Sequence, residues 1–119
     1  MDQKKALIVA LKEFIWKVKK KVKVEQIILF GSRARGTAKK TSDIDLLIIS
    51  KDFEKIKSFK RAQSLYLLWN QPYDIDLICL TPQELNKKQH EIGLVQDALK
   101  EGISFQSTLD IRRIKAIVE

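Results

Sequence analysis

The apolar positions near the start of the chain recur at helical spacing. Leu7, Leu11, Phe14 and Val18 fall on one stripe with lysines between them, which predicts a helix from Asp2 to about Lys21. The pattern then changes period. Val24 to Phe30 (VEQIILF) is rich in β-branched residues and stops at Gly31, as a buried strand does. Ile44 to Ile49 is a second strand, apolar apart from Asp45. Glu54 to Asn70 returns to helical spacing, with Ile56, Phe59, Tyr66 and Trp69 expected to face inward, and Pro72 ends it. Tyr73 to Leu80 reads as a third strand. Thr81-Pro82-Gln83-Glu84 then offers an N-cap, a proline at the first helical position and an acidic first turn. The helix it opens should run toward Lys100, with Gly93 as a weak point and Gly102 as its stop. Ile103 to Gln106 is expected to form a short strand, and Ser107 to Asp110 to cap a last helix carrying Ile111, Ile114 and Ile117.

Strands separated by helices in a chain of 119 residues imply an α/β (α+β) fold, a small mixed sheet flanked by helices. No repeat, low-complexity tract or Pro/Gly-rich linker divides it, so one domain over residues 1–119 is expected. No apolar run approaches the roughly 18–20 residues a membrane span needs. Lys12, Glu13 and Lys17 interrupt the apolar residues of the N-terminus, which therefore does not read as a signal peptide. A lone Cys79 excludes an internal disulfide framework, and a single His leaves no Cys/His set for structural zinc. The expectation is a soluble cytoplasmic protein. Its net charge of +8 is uneven: residues 1–24 hold eight lysines against Asp2 and Glu13. Such an excess suits either an anionic partner or a solvated helix face, and charge alone does not separate the two.

Aspartates inside apolar strands are the anomaly. Residues two apart on a strand share a face, about 6.6–6.8 Å apart along the backbone, so Asp43 and Asp45 aim their carboxylates together. Like charges so close repel unless a cation lies between them, and a hard divalent ion such as Mg²⁺ prefers carboxylate oxygen. Asp74-Ile75-Asp76 repeats the pattern on the third strand. Three carboxylates on adjacent strands suit a pair of ions roughly 3.5–4 Å apart that clamp a phosphoryl group. Gly31-Ser32 offers the complementary half: close backbone approach at Gly31, then a helix turn whose N–H groups suit phosphate. Arg33 and Arg35 add forked donors, and otherwise are surface charges. GSRARG lacks the Gly-Lys-Ser/Thr end of a P-loop, and with a single His far along the chain there is no nucleophilic triad.

LFGSRARGTAKKTSDIDLLI resembles the signature of the DNA polymerase β-like nucleotidyltransferase superfamily: a hydrophobic residue, Gly-Ser, a ten-residue spacer, then Asp-x-Asp. In detail it is similar to the minimal nucleotidyltransferases, small prokaryotic proteins often paired with a HEPT-domain toxin as its antitoxin. The resemblance covers roughly residues 24–82. It implies a nucleotidyltransferase fold, in which Gly31 and Ser32 hold the β- and γ-phosphates of a nucleoside triphosphate such as ATP. Asp43 and Asp45 would bind two Mg²⁺ ions, and Asp76 would hold the metal that activates an acceptor hydroxyl. Asp74 lies on the same face and stays open as the third carboxylate, although the apolar run after Asp76 matches the one after Asp45 and favours Asp76. The implied reaction is attack of a hydroxyl on the α-phosphate with release of pyrophosphate. As 119 residues are expected to leave no room for an acceptor-binding domain, the resemblance points to a tyrosine of the HEPT partner, which becomes AMPylated. Two competing readings are a module that neutralises its partner by contact alone, and a nucleic-acid binder using the basic N-terminal helix.

The remaining residues carry plainer expectations. Cys79 reads as a small core residue, His90 as a surface residue, and Trp16, Tyr66 and Trp69 as core packing. The last helix would be either core or a partner-binding stripe.

Overall fold

In the computed structural model, which describes residues 3–35 and 43–105, the first apolar stripe is a helix, α1 (Gln3–Lys21). Leu7, Leu11, Phe14, Ile15 and Val18 are buried along it. A short link leads to β1 (Gln26–Phe30), a turn of helix α2 (Ser32–Arg35) and β2 (Ile44–Ile49). A 3₁₀ turn (Lys51–Lys55), α3 (Ser58–Tyr66) and β3 (Ile75–Leu80) follow, then α4 (Pro82–Lys88), α5 (Leu94–Glu101) and β4 (Ile103–Phe105). The strand order is β3-β2-β1-β4. β1 is antiparallel to β2 and to β4, whereas β2 and β3 are parallel, so the sheet is mixed, as expected from the sequence.

Both faces of the sheet are covered, which is why its strands read as nearly unbroken apolar runs. Ile44, Leu46 and Ile48 of β2 pack with Ile75, Leu77 and Cys79 of β3 on the α1 side. Leu47 and Ile49 join Ile28, Phe30, Leu80 and Ala98 on the α5 side. Burying each such aliphatic side chain is worth about 1.5–3 kcal/mol. Aspartate at position 45 or 76 forgoes that gain, and the fold has to place it where a strand end opens.

β3 is an edge strand, and α3 closes it. The Leu77 N–H donates to the Tyr66 hydroxyl at 3.0 Å, and Arg61 donates to the Cys79 carbonyl at 3.2 Å. Arg61 is buried; it also donates to the Ile56 carbonyl and pairs with Glu84. Glu84 extends the N-cap expected at Thr81 to a full capping box, with Thr81 Oγ1 accepting from the Glu84 N–H and Glu84 accepting from the Thr81 N–H. Main-chain groups of the edge are thus satisfied by side chains instead of a further strand.

Several boundaries and orientations differ from expectation. The helix expected over 54–70 is split, because Ser50 Oγ donates to the Lys23 carbonyl and caps a 3₁₀ turn, after which Ile56 is extended. α3 then buries Arg61 and Leu65, leaving Phe59 65% exposed and Tyr66 38% exposed, while Ile56 and Trp69 are half-buried. Trp69 packs edge-to-face on Phe14 at 5.4 Å and donates to the Tyr73 carbonyl. Trp16 is not core: it is 53% exposed with the Lys20 ammonium 3.8 Å over its ring. The expected helix from Pro82 toward Lys100 is two helices: α4 stops at Lys88, Gly93 is the N-cap of α5, and α5 ends at Gly102, where a Cβ would overlap the Ala98 carbonyl and the Ile28 side chain. Ile111, Ile114 and Ile117 of the expected last helix lie outside the described residues.

Candidate active site

Phe30 ends β1 opposite Asp45 of β2, and the chain turns at once through Gly31. Gly31 has φ +74°, a left-handed backbone that side-chain-bearing residues rarely adopt. A Cβ at this position would also overlap the Asp45 carboxylate. Glycine therefore satisfies two demands here, the turn and the close approach. The Gly31 carbonyl accepts from the N–H groups of Ala34 and Arg35, each at 3.1 Å, and so winds α2 tightly against the strand end.

β2 and β3 are parallel with Asp45 and Asp76 as Cα partners. Adjacent strands lie about 4.7–4.9 Å apart, and paired residues project on the same face. Asp43 stands two residues before Asp45 at the mouth of the same face. The three carboxylates, with Gly31, Ser32 and Arg35, line one cleft of about 640 Å³. Asp45 is held above the ordinary carboxylate range, first because burial disfavours its charge, then because Asp76 and Asp43 repel it; Arg35 offsets part of this. Among the described residues no three carboxylates stand close enough together to ligate one ion as the side chains are placed. The donor set is nevertheless hard oxygen converging on one cleft, which suits Mg²⁺.

Asp74 and Arg33 do not join them. Asp74 is exposed and outside the lining of the cleft, and its carbonyl accepts from the Ile44 N–H at 2.9 Å where the strands begin to pair. Arg33 is buried, and Arg35 alone of the two arginines faces the cleft. The reason is angular: positions two apart on a helix point about 200° apart. Arg35 is steadied by an ion pair with Glu101 at 3.2 Å.

Three cleft residues carried no signal in the sequence. Asp97 and Glu101, one helical turn apart on α5, face the cleft, and only the tertiary fold brings α5 there. Tyr66 lines it too, its ring turned toward the cleft and away from the core assigned to it. A second cavity of about 460 Å³ lies between α3, β3 and the α4–α5 corner, sharing Leu77, Ile78 and Leu94 with the first. Its walls hold no converging carboxylates. Cys79 is in them, but burial pushes its thiol up to about 12, only partly countered by Arg61, so it stays protonated and is the core residue expected. His90 is exposed and lines neither cavity.

The family described as Nucleotidyltransferase domain matches residues 11–118. The chain belongs to this nucleotidyltransferase family. A protein of Methanocaldococcus jannaschii named a candidate protein adenylyltransferase is 40% identical over 94 residues, covering 74% of this chain and 63% of the relative. A second protein of that organism, named in the same way, is 36% identical over 55 residues, covering 46% of this chain and 56% of the relative. The match thus spans less than two thirds of either relative's length. The fold matches the crystal structure of a candidate nucleotidyltransferase from Sulfolobus solfataricus with a TM-score of 0.64 and 25% identity, over 87% of this chain and 83% of that one. It also matches a crystal structure titled as a toxin–antitoxin with AMP-PNP, with a TM-score of 0.51 and 24% identity, over 88% of this chain and 81% of that one. The nucleotidyltransferase family thus supplies the fold that the sheet order displays. Among the described residues no helix is long and apolar enough to cross a membrane.

Proposed function

We propose that this nucleotidyltransferase domain moves AMP from ATP to a protein hydroxyl, a tyrosine of a HEPT-domain toxin to which it serves as antitoxin. The observation that carries the reading is the in-register pair Asp45 and Asp76 in one cleft, with the Asp45 carboxylate directly against Gly31. Support for a protein acceptor comes from the relatives named as candidate protein adenylyltransferases, and a fold neighbour that is a toxin–antitoxin protein with AMP-PNP supports a partner protein.

In this reading Gly31 and Ser32 receive the β- and γ-phosphates on backbone N–H groups and a hydroxyl, and Arg35 adds a forked donor from the same short helix. Asp43, Asp45 and Asp76 are the residues that would hold Mg²⁺, two ions in this reading, and the metal would supply charge neutralisation to the phosphates. The protein's own share is placement: the strand register sets Asp45 beside Asp76 before substrate arrives, and preorganised electrostatics of this kind is commonly the largest single contribution to catalysis. Asp76, on the edge strand, stands on the side from which an acceptor can approach.

Intact mass spectrometry on the protein encoded beside this one tests the reading. That protein is incubated with ATP, Mg²⁺ and either this chain or its Asp43→Ala/Asp45→Ala variant. A gain of adenylyl mass with the wild type alone supports the transfer and identifies the acceptor. A tight complex without mass change, with other nucleotides failing too, would replace the enzyme with an antitoxin that acts by contact.

A further inference from the structure

A hydroxyl acceptor need not come from outside. Among the described residues lining the cleft, two carry hydroxyls, Ser32 and Tyr66. Ser32 opens α2 beside Gly31, on the side proposed for the triphosphate. Tyr66 stands on the other wall, at the end of α3, and its oxygen receives the Leu77 N–H at 3.0 Å. Leu77 follows Asp76 directly, so the phenolic oxygen is pinned one peptide away from the third carboxylate. Tyr66 is 38% exposed, so it remains accessible from the cleft it lines. A sheet edge could have had this N–H satisfied by water or main chain; a phenol has been brought to it.

Given the adenylyl-transfer reading of the cleft, on which this rests, we propose that Tyr66 is an internal acceptor: its hydroxyl is adenylylated in cis by the chain's own active site. The Tyr66 oxygen attacks the α-phosphorus of ATP and a phosphorus–oxygen bond forms. The bond from the α-phosphorus to the bridging oxygen breaks, pyrophosphate leaves with its electron pair, and the phenolic proton passes to water in the open cleft. The modified tyrosine then occupies the acceptor side of Asp76, so self-modification and modification of a partner exclude one another in one molecule.

The test is intact mass and peptide mapping of the chain after incubation with ATP and Mg²⁺, compared with Tyr66→Phe, Tyr73→Phe and Asp45→Asn. Tyr73 is the chain's second tyrosine and serves as the control. Wild type and Tyr73→Phe should gain one adenylyl group mapped to Tyr66, at a rate independent of protein concentration. Labelling of Tyr66→Phe and Asp45→Asn should fall to background. Thermal stabilisation by Mg²⁺ with an ATP analogue blocked between the α- and β-phosphates, read on the same samples, separates a lost acceptor from lost nucleotide binding or fold. Undiminished labelling of Tyr66→Phe overturns the assignment, as does a rate that rises with protein concentration. An unlabelled wild type that binds nucleotide and modifies its partner overturns it while leaving the transfer reading standing. A wild type that neither binds nucleotide nor labels anything removes both.

Discussion

Asp45 puts a carboxylate where β2 elsewhere carries aliphatic side chains, and the fold holds it there against burial and two like charges. Its proton is bound more tightly in the folded chain than in the unfolded one. In the window between the ordinary carboxylate value and the raised one, the folded state therefore carries the extra proton, and this group's contribution to stability falls as pH rises. Above that window the ionised carboxylate opposes folding. Asp45→Asn should melt at the same temperature as the wild type or higher at neutral pH without nucleotide, and should lose that part of the pH dependence. It should also lose the stabilisation given by Mg²⁺ and ATP, which calorimetric scans with and without ligand would read. A large drop in ligand-free stability would instead make Asp45 a structural hydrogen-bond hub. Gly31 is the other half of this pair. Gly31→Ala should cost about 1–2 kcal/mol for a left-handed backbone, with the overlap against the Asp45 carboxylate added. That added part should disappear in the Asp45→Ala background, a coupling that a double-mutant cycle in denaturant measures directly. Both residues were legible from the Gly-Ser and Asp-x-Asp spacing. Arg33 was misplaced because spacing along the chain does not fix the side from which a four-residue helix is covered.

At the scale of elements, the strands and α1 were legible, since covered faces force continuous apolar runs and one buried stripe forces helical spacing. The segment after β2 was not. Its 3₁₀ turn depends on Ser50 and Asp52 meeting Lys23, partners 27 and 29 residues distant that no local pattern announces. Arg61 was equally hidden, because a buried arginine looks like any helical surface charge until its acceptors are known. It joins α3, β3 and α4 through Ile56, Cys79 and Glu84. Arg61→Ala should destabilise the protein by about 2–3 kcal/mol, since it strands the acceptors at once. Burial alone would raise Glu84, but the Thr81 N–H and the Arg61 guanidinium outweigh it and hold the carboxyl below its usual value. The stability it contributes is thus full above the ordinary carboxylate range and lost as pH falls through the lowered value. Urea titrations at neutral and acid pH should therefore show the gap between wild type and Arg61→Ala narrowing as the solution is acidified. Tyr66 hangs on the same edge, so the brace that protects β3 also holds the wall of the cleft.

Across the whole molecule, charge is separated by the sheet. α1, with its lysine-rich last turn, packs on one face; Asp45 and Asp76 open with α5 on the other. In a chain of net charge +8, the charged groups among the described residues lining the cleft are thus mostly acidic, Asp43, Asp45, Asp76, Asp97 and Glu101 against Arg35. Composition concealed this, because the acidic groups come from β2, the residue before it, β3 and α5, which only the fold assembles. The consequence for ligands is specific. A triphosphate alone meets net repulsion in the cleft, and the distant lysines of α1 are screened beyond a Debye length of about 8–10 Å. Divalent cations reverse the sign by neutralising both the carboxylates and the phosphates. ATP with a chelator should leave the melting temperature unchanged, Mg²⁺ alone should raise it slightly by relieving the repulsion around Asp45, and the two together should raise it most. At a ligand concentration a hundredfold over Kd the gain is about 2.7 kcal/mol, worth several degrees in a domain of this size. Stabilisation by ATP in chelator, falling steeply with added salt, would place the nucleotide on the basic face of α1 and move the binding site away from the carboxylates.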